Sequence, residues 1–165
     1  MGYTKKFWHE LDCFLQESNR ASADFIPAML YLANPKLTKE KAAGMKAIAE
    51  GILAETLAQT EHLRWNAFHA AMGYRLISIE EMRRRFDDYK DKPDSDNRLD
   101  FARRDSKGRL QVCLVTWDEL DAVSEAYREL KRLVGKEPMH DFKNNDRDVV
   151  ENIPKILQEA NLFLS

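Results

Sequence analysis

Two histidines, a glutamate and an arginine crowd around one tryptophan near the middle of the sequence. Steps of three and four residues connect His62, Trp65 and His69, which is the spacing of one face of an α-helix. Glu61 and Arg64 lie beside this face. An unpaired polar group in a protein core costs about 1–3 kcal/mol, so we expect the imidazoles to have partners. This face is therefore the first candidate site.

The two histidines are a poor pair of metal ligands. At a rise of 1.5 Å per residue, His62 and His69 stand about 10 Å apart along a helix axis. Imidazole nitrogens bind zinc at about 2.0–2.1 Å, so one ion cannot bridge this gap unaided. The HExxH spacing of zinc proteases is also absent from the sequence. We therefore predict no metal site, with the histidines held by nearby carboxylates or carbonyls.

An acid–base catalyst is a minor alternative that the sequence leaves open. Glu61, His62 and Asp146 have the side chains that such a set needs. The chain contains no G-x-S-x-G elbow, no Walker loop and no G-x-G-x-x-G turn. Glu61 can instead pair with Arg64 one helical turn away. We predict a non-catalytic protein, and a small hydrolase is the less favoured alternative.

A pocket for a small ligand accounts for more of these residues. Aromatic rings can stack on a planar group, and arginine can bind an anion. Each tryptophan taken alone is better explained as a core residue, and only their joint occurrence favours a site. The candidate rings are Trp65, Trp117 and Tyr74, and the candidate cations are Arg147, Arg20 and Arg64.

Helical spacing recurs through most of the chain. An amphipathic pattern predicts a first helix from Lys5 to about Gln16. Pro27 argues for a kink in the next helix, and Gly51 is a weak point between two later helices. The predicted caps of the later helices are Ser18 or Asn19, Thr38, Ser78, Thr116 and Asn145.

One stretch differs from this helical pattern. Residues 110–117 alone have the composition of a strand, while residues 90–109 carry many charges and few large apolar groups, which indicates a solvated loop with some local structure. We predict an all-α fold of about five to seven helices with one short extended segment around Val112 to Val115.

Composition describes one soluble domain. The 165 residues are 44% hydrophobic and 33% charged, which suffices for one core. Lysine plus arginine number 26 against 28 aspartates plus glutamates, so bulk charge does not favour nucleic acid. No apolar run approaches the ~20 residues that cross a bilayer, which predicts no membrane partner. Cys13 and Cys113 have apolar neighbours in sequence, which predicts reduced core thiols in a cytoplasmic protein.

Three segments of the chain form a pattern when they are taken together. They are residues 61–65 (EHLRW) with Gly73 and Tyr74, residues 113–120 (CLVTWDEL), and residues 145–157. In this order they resemble the first helix, the CLVPxxEL-type segment and the final helix of the ryanodine receptor repeat, the RyR domain. Residues 14–24 resemble the segment that precedes this repeat in bacterial proteins, where a Rossmann-type NAD-binding domain can come first.

The resemblance implies a regulatory and interaction module without channel activity. For some members of the family it implies nucleotide binding. It also implies a bacterial protein, with this chain similar to the C-terminal part of a larger one, and a Rossmann domain or another protein as partner. We predict an N-terminal helical region at residues 1–54 and an RyR-like repeat domain at residues 55–165, packed as one compact unit.

The predicted ligand site lies between the helix that bears Trp65 and the final helix. Two indoles would contact a planar group, Arg147 would bind an anion, and the remaining side chains would donate or accept hydrogen bonds. The expected ligand is a nucleotide of the adenine type or another small anion, without a cofactor. The alternative is a scaffold, in which an exposed apolar face of the first two helices binds another protein. The predicted ligand-binding residues are His62, Trp65, His69, Trp117, Asn145 and Arg147.

Overall fold

A computed structural model describes residues 8–34, 41–90 and 97–160, and helices dominate these ranges. The predicted helical fold class is confirmed. Within the described ranges, no helix is long and apolar enough to cross a membrane. The elements are α1 (Cys13–Ala33), α2 (Lys41–Ala49), α3 (Ala54–Ala71), β1 (Arg75–Leu76), α4 (Ile79–Asp88), α5 (Arg98–Arg103), β2 (Arg104–Asp105), β3 (Leu110–Gln111), α6 (Leu120–Leu133) and α7 (Lys143–Glu159).

Packing divides the chain into two compact units. Unit 1 combines Met1–Phe68 with Arg147–Ser165, and unit 2 consists of His69–Asp146. The predicted boundary between residues 54 and 55 marks where the RyR-like region begins, which is a different property from packing. This boundary stays a prediction.

The long helix of unit 1 is α1. Its cap is Asp12, whose Oδ1 accepts a hydrogen bond from the Leu15 amide at 2.8 Å. The predicted helix start at Ser18 or Asn19 is wrong, because the earlier cap already serves the first turn and the helix continues past both residues. Pro27 lies inside this helix, as expected. The predicted cap Thr38 lies outside the described residues.

Two glycines shape the junctions of α2. Gly51 has a φ of 71° and separates α2 from α3, which confirms the predicted weak point. Gly44 has a different role, because a Cβ there would overlap the carbonyl group of Leu30. The helices α1 and α2 therefore approach too closely for any larger residue. The apolar core of unit 1 consists of Met29, Leu30, Ala33, Ala47, Ile48, Leu57, Ala58, Val150, Ile153 and Leu157.

Unit 2 contains a three-stranded sheet in the order β1-β3-β2. Leu110 of β3 pairs with Arg75 in the parallel sense and with Asp105 in the antiparallel sense. The extended segment therefore lies at Leu110–Gln111, two residues before the predicted one. Its partner strands are only two residues long, too short to leave a periodic pattern in the sequence.

The helix α5 corrects part of a second prediction. Residues 90–109 are predicted to be a solvated loop with some local structure, and α5 is such local structure, but its Leu99 and Ala102 are buried and not solvated. Two apolar residues one turn apart are enough for this short helix to pack on the core. They are hard to recognise in the sequence because the residues around them are charged. The apolar core of unit 2 consists of Ile77, Met82, Phe86, Leu99, Ala102, Val112, Trp117, Leu120, Val123, Ala126, Tyr127, Leu130 and Phe142.

The predicted caps of unit 2 have different outcomes. Ser78 caps α4, since its Oγ accepts from the Glu81 amide at 3.1 Å. Thr116 shows the returning half of the predicted capping box, since its amide and hydroxyl donate to Glu119 Oε2 at 2.8 and 2.7 Å, but α6 begins only at Leu120. Asn145 is not the cap of α7, because that helix already begins at Lys143.

Candidate functional site

The six predicted ligand-binding residues are divided between the two units. Unit 1 holds His62, Trp65 and Arg147. Unit 2 holds His69, Trp117 and Asn145. Each group is described within its own unit, and the expectation that all six form one ligand site stays a prediction.

His62 is a buried, partnered residue of unit 1. Its side chain is on α3 and the residue is 2% exposed. The ring lies nearly parallel to that of Trp65, with an angle of 14° and 6.2 Å between centroids. Its Nε2 lies 3.3 Å from Nδ2 of Asn66, one turn further along α3. The structure therefore holds this imidazole in place without any ligand, as the cost of an unpaired buried ring requires.

Arg147 already contacts an anionic group, the carboxylate of Glu55. Its Nε and Nη2 donate to the two carboxylate oxygens at 3.0 and 2.9 Å. The pair joins α7 to the first turn of α3 within unit 1. An exposed ion pair of this kind contributes about 0–1 kcal/mol to stability, so it holds the two helices together only weakly. A ligand anion at Arg147 would have to compete with Glu55 for the same donors.

Glu61 and Arg64 form the buried ion pair of unit 1. Arg64 Nε and Nη2 donate to the two Glu61 oxygens at 2.8 and 2.7 Å. Ser22 Oγ on α1 donates to the same carboxylate at 3.3 Å. The pairing expected from the one-turn spacing is therefore present. It occupies both carboxylate oxygens, which leaves Glu61 poorly placed to act as a general acid or base.

The two predicted rings of unit 2 pack inside it. His69 is buried with its ring edge against Tyr74, at 4.9 Å between centroids and 73° between planes. Trp117 is buried too, and Lys143 Nζ lies 5.2 Å from its ring centre. Lys143 also donates to Asp121 Oδ2 at 2.8 Å. These contacts match the simpler explanation of Trp117 as a core residue with a cation on its face.

Asn145 is exposed and lines an open depression in unit 2. We call this depression the unit 2 groove; its volume is about 550 Å³. It lies between the end of α6 and the start of α7. The side chains that matter for binding here are Arg128, Arg132, Met139, His140, Asp141 and Asn145.

The two arginines of the unit 2 groove are held to different degrees. Arg128 donates to the carbonyl of His140 at 3.1 Å and to Glu125 Oε2 at 2.9 Å. Arg132 contacts the same glutamate only at 3.4 Å, and 52% of its side chain is exposed. Lys131 adds a third cation nearby, with its Nζ donating to the carbonyl of Met139 at 3.0 Å. Arg132 is thus the cation most able to turn toward a ligand.

His140 is the one titratable ring of the unit 2 groove. It packs against Phe142, at 4.4 Å between centroids, and against Tyr127 at 4.9 Å. Burial lowers the pKa of His140, and the cations Lys131 and Arg103 lower it further. Within the described residues its buried Nε2 has no hydrogen-bond partner. The sequence offered no signal for His140, because its environment depends on the turn after α6.

A second depression, here called the unit 1 groove, lies between α1 and α7 and has a volume of about 580 Å³. Its lining includes Val149, Ile153 and Ile156, together with Ile26 and Met29 from α1. The apolar residues of α7 recur at helical spacing in the sequence, which is the pattern of a buried face. Val149 and Ile156 are in fact 37% and 47% exposed. Their separation by two helical turns, beside the buried stripe, was the available signal.

The cysteines and possible metal ligands form no further site. Neither cysteine is in a disulfide. Cys13 is exposed at the start of α1, so the prediction of a core thiol is wrong there. Burial raises the pKa of the Cys113 thiol to about 12. Among the residues that the structure describes, no three His, Cys, Asp or Glu side chains come together as a possible metal site.

Comparisons of the chain with protein-family models, with curated proteins and with solved structures find no match. The resemblance to the RyR domain therefore stays a prediction, and functional conclusions have to be built on the two grooves.

Proposed function

We propose that this chain is a non-catalytic binding module that responds to a small anionic ligand, with a nucleotide as the first candidate. The observation that carries the proposal is the convergence of Arg128, Arg132, His140 and Asn145 in the unit 2 groove. Its volume lies within the range of about 300–1,000 Å³ that ligand sites occupy. Of the predicted ligand-binding residues, this proposal uses only Asn145.

Charge and geometry at this groove favour an anion. Among the described residues that line the groove, two are arginines, Arg128 and Arg132, and one is a carboxylate, Asp141. Guanidinium groups bind phosphate and carboxylate through two parallel hydrogen bonds. Arg132 gives up little by turning toward a ligand, because its contact with Glu125 is long and exposed. The neutral state favoured at His140 allows its ring to donate or accept a hydrogen bond.

The resemblance to the RyR domain supports the same proposal. It implies a regulatory module that binds nucleotides in some members and that acts next to other domains. We accordingly propose a cytoplasmic bacterial protein, with a Rossmann domain or another protein as partner. Ligand binding would then change how the module associates with that partner.

Thermal unfolding in the presence of nucleotides tests the proposal. The protein is heated with ATP, ADP, AMP or inorganic phosphate at constant ionic strength. A ligand at 100 times its dissociation constant should add about 2.7 kcal/mol to the free energy of unfolding, which raises the midpoint measurably. Arg132→Gln should abolish this shift. Arg83→Gln is the matched control, since Arg83 is a half-exposed arginine of the same unit that also pairs with a glutamate, Glu129.

Two results would contradict the proposal. The first is a midpoint unchanged by all four anions, and the second is a shift that persists in Arg132→Gln. Turnover of any bound nucleotide, lost in His62→Gln while the fold survives, would instead support the hydrolase alternative.

A protein-interaction scaffold is the second candidate function, and a separate observation favours it. Most of the large apolar side chains that are exposed in the described part of the chain belong to unit 1. A monomeric protein rarely exposes a large contiguous apolar patch. Part of the exposed apolar surface of unit 1 lines the unit 1 groove. In unit 1, the large apolar residues that are exposed are Leu15, Tyr31, Leu32, Ile52, Leu53, Leu63, Val149 and Ile156.

A further inference from the structure

The unit 1 groove has the form of a site that accepts a helix. Its walls are α1 and α7, and its apolar lining runs along α7 through Val149, Ile153 and Ile156. Val149 and Ile156 are seven residues apart, so this lining extends about 10 Å along the helix axis. A bound helix needs an apolar strip of at least two turns, which is the length offered here. The lining therefore matches the apolar face of an amphipathic helix.

Charge around the same groove identifies the kind of helix. Asp148 and Glu159 are exposed carboxylates of its lining, and neither forms an ion pair within the described part of the chain. Lys155 is the single lysine or arginine among the described residues of the lining. Glu61 also lines the groove, but Arg64 already neutralises it. The unpaired charge is therefore two carboxylates against one ammonium group, which favours a cationic occupant.

We propose that the unit 1 groove binds an amphipathic α-helix of a partner protein that carries a basic residue at each end of its apolar face. This interaction is separate from anion binding in unit 2 and does not depend on it. A nucleotide or an acidic peptide fits the groove poorly, since Asp148 and Glu159 would repel it. The charges of this groove and of the unit 2 groove thus select ligands of opposite sign.

The positions of the two carboxylates set the spacing of the partner's basic residues. Asp148 and Glu159 are eleven residues apart on α7, which corresponds to about 16 Å and about three helical turns. A partner helix lying along α7 has the same rise, so basic residues eleven positions apart fall on one face and reach both carboxylates. Lys155 lies between them and disfavours a third basic residue at the intermediate position.

Peptide binding to the full chain tests the proposal. The probe is a fluorescent 18-residue helical peptide with leucines at i, i+3, i+4 and i+7 and two lysines eleven positions apart. The comparison peptide carries glutamates at the two lysine positions. We expect the lysine peptide to bind with a dissociation constant about three- to tenfold lower, with the difference shrinking at high salt. Fluorescence anisotropy measures both dissociation constants.

Substitutions at exposed positions test whether the peptide binds in this groove, and they should leave the fold intact. Asp148→Asn combined with Glu159→Gln should remove the preference for lysine over glutamate. The matched control is Asp24→Asn combined with Glu151→Gln, two exposed carboxylates of α1 and α7 outside the lining. It should leave the preference unchanged.

A second pair of variants tests the apolar part of the groove. Ile156→Ser should weaken the binding of both peptides by about tenfold. Leu63→Ser, at an exposed leucine outside the lining, should leave both dissociation constants unchanged.

Several results would overturn the proposal. They are equal affinity for the two peptides, no binding of either peptide at 1 mM, and equal effects of the groove and control variants. A dimer in light scattering that Ile156→Ser dissociates would assign the groove to a second copy of this chain, and displacement of the peptide by ATP would assign it to a nucleotide. Arg132→Gln should bind the lysine peptide normally, so failure of this proposal and failure of the anion proposal are told apart.

Discussion

Removing the charge of Glu61 should destabilise the protein without introducing a steric clash. Glu61→Gln keeps the size of the side chain but replaces one carboxylate oxygen by an amide NH₂ group. Arg64 Nη2 and Nε each donate to a different oxygen of Glu61. One of these donors therefore loses its acceptor and faces another donor instead. The guanidinium group is left buried beside a neutral partner.

The expected cost follows from the burial of the pair. The side chains of Glu61 and Arg64 are only 4% and 11% exposed. Arg64 Nη1 is also buried, and it already has no hydrogen-bond partner within the described residues. Breaking a buried ion pair from one side costs about 3–5 kcal/mol, because the remaining charge is uncompensated. We expect Glu61→Gln to lower the free energy of unfolding by about 3 kcal/mol, near the lower limit because the amide oxygen still accepts one bond.

Urea unfolding followed by tryptophan fluorescence measures this change. The double variant Glu61→Leu with Arg64→Met removes both charges and should recover most of the stability, since a well-packed apolar pair often equals a buried ion pair. Glu17→Gln is the control, because Glu17 pairs with Arg20 at the same spacing on an exposed face and should change stability by less than about 0.5 kcal/mol. A cost below about 1 kcal/mol for Glu61→Gln, or a double variant as unstable as the single one, would refute the reasoning.

Three further predictions concern packing, pH and thiol chemistry. Gly44→Ala should lower the thermal midpoint by several degrees, because a Cβ meets the backbone of Leu30; an unchanged midpoint would contradict the close approach of α1 and α2. Since the pKa of His140 is lowered in the folded state, its contribution to stability is complete above its ordinary pKa of about 6.5 and is lost as pH falls toward the folded value. Urea unfolding between pH 7.5 and 5 should show a smaller decline for His140→Gln than for the unmodified chain, and equal declines would contradict this. Iodoacetamide at pH 8 should label exposed Cys13 quickly and half-buried Cys113 much more slowly, since partial burial and a raised thiol pKa both slow the reaction; mass spectrometry of peptides from the folded protein distinguishes the sites, and equal labelling would contradict this difference.

The sequence predicted those parts of the fold that depend on local patterns. Helical periodicity identified the longer helices of both units but not α5, the capping residue Ser78 marked the start of α4, and Gly51 marked the end of α2. These features are properties of a few neighbouring residues, so the sequence carries them directly. The start of α1 was misplaced because Asp12 and Ser18, six residues apart, both have capping chemistry, and the first predicted helix ran through Asp12.

The candidate sites were less predictable because they depend on contacts between distant residues. The prediction assigned Arg147 to a ligand, but Glu55, far away in sequence, supplies its carboxylate partner. Arg132 lies in an ordinary charged stretch of α6. It becomes a candidate binding residue only because the turn that carries His140 folds beside it. Asn145 was predicted to serve both as a helix cap and as a ligand contact. It does not cap α7, although it does line the unit 2 groove.

The discontinuity of unit 1 affects how the chain can be made. Unit 2 is one uninterrupted stretch, His69–Asp146, so all of its residues have been synthesised before the last helix is complete. Unit 1 is completed later, because Val150 and Ile153 of its core are synthesised only after the whole of unit 2. Until then the apolar residues of unit 1 that are already synthesised lack the packing of α7. They stay partly exposed and can bind chaperones or aggregate. A premature stop before α7 would therefore harm unit 1 most, although most residues of unit 1 precede unit 2 and lie far from the stop in sequence.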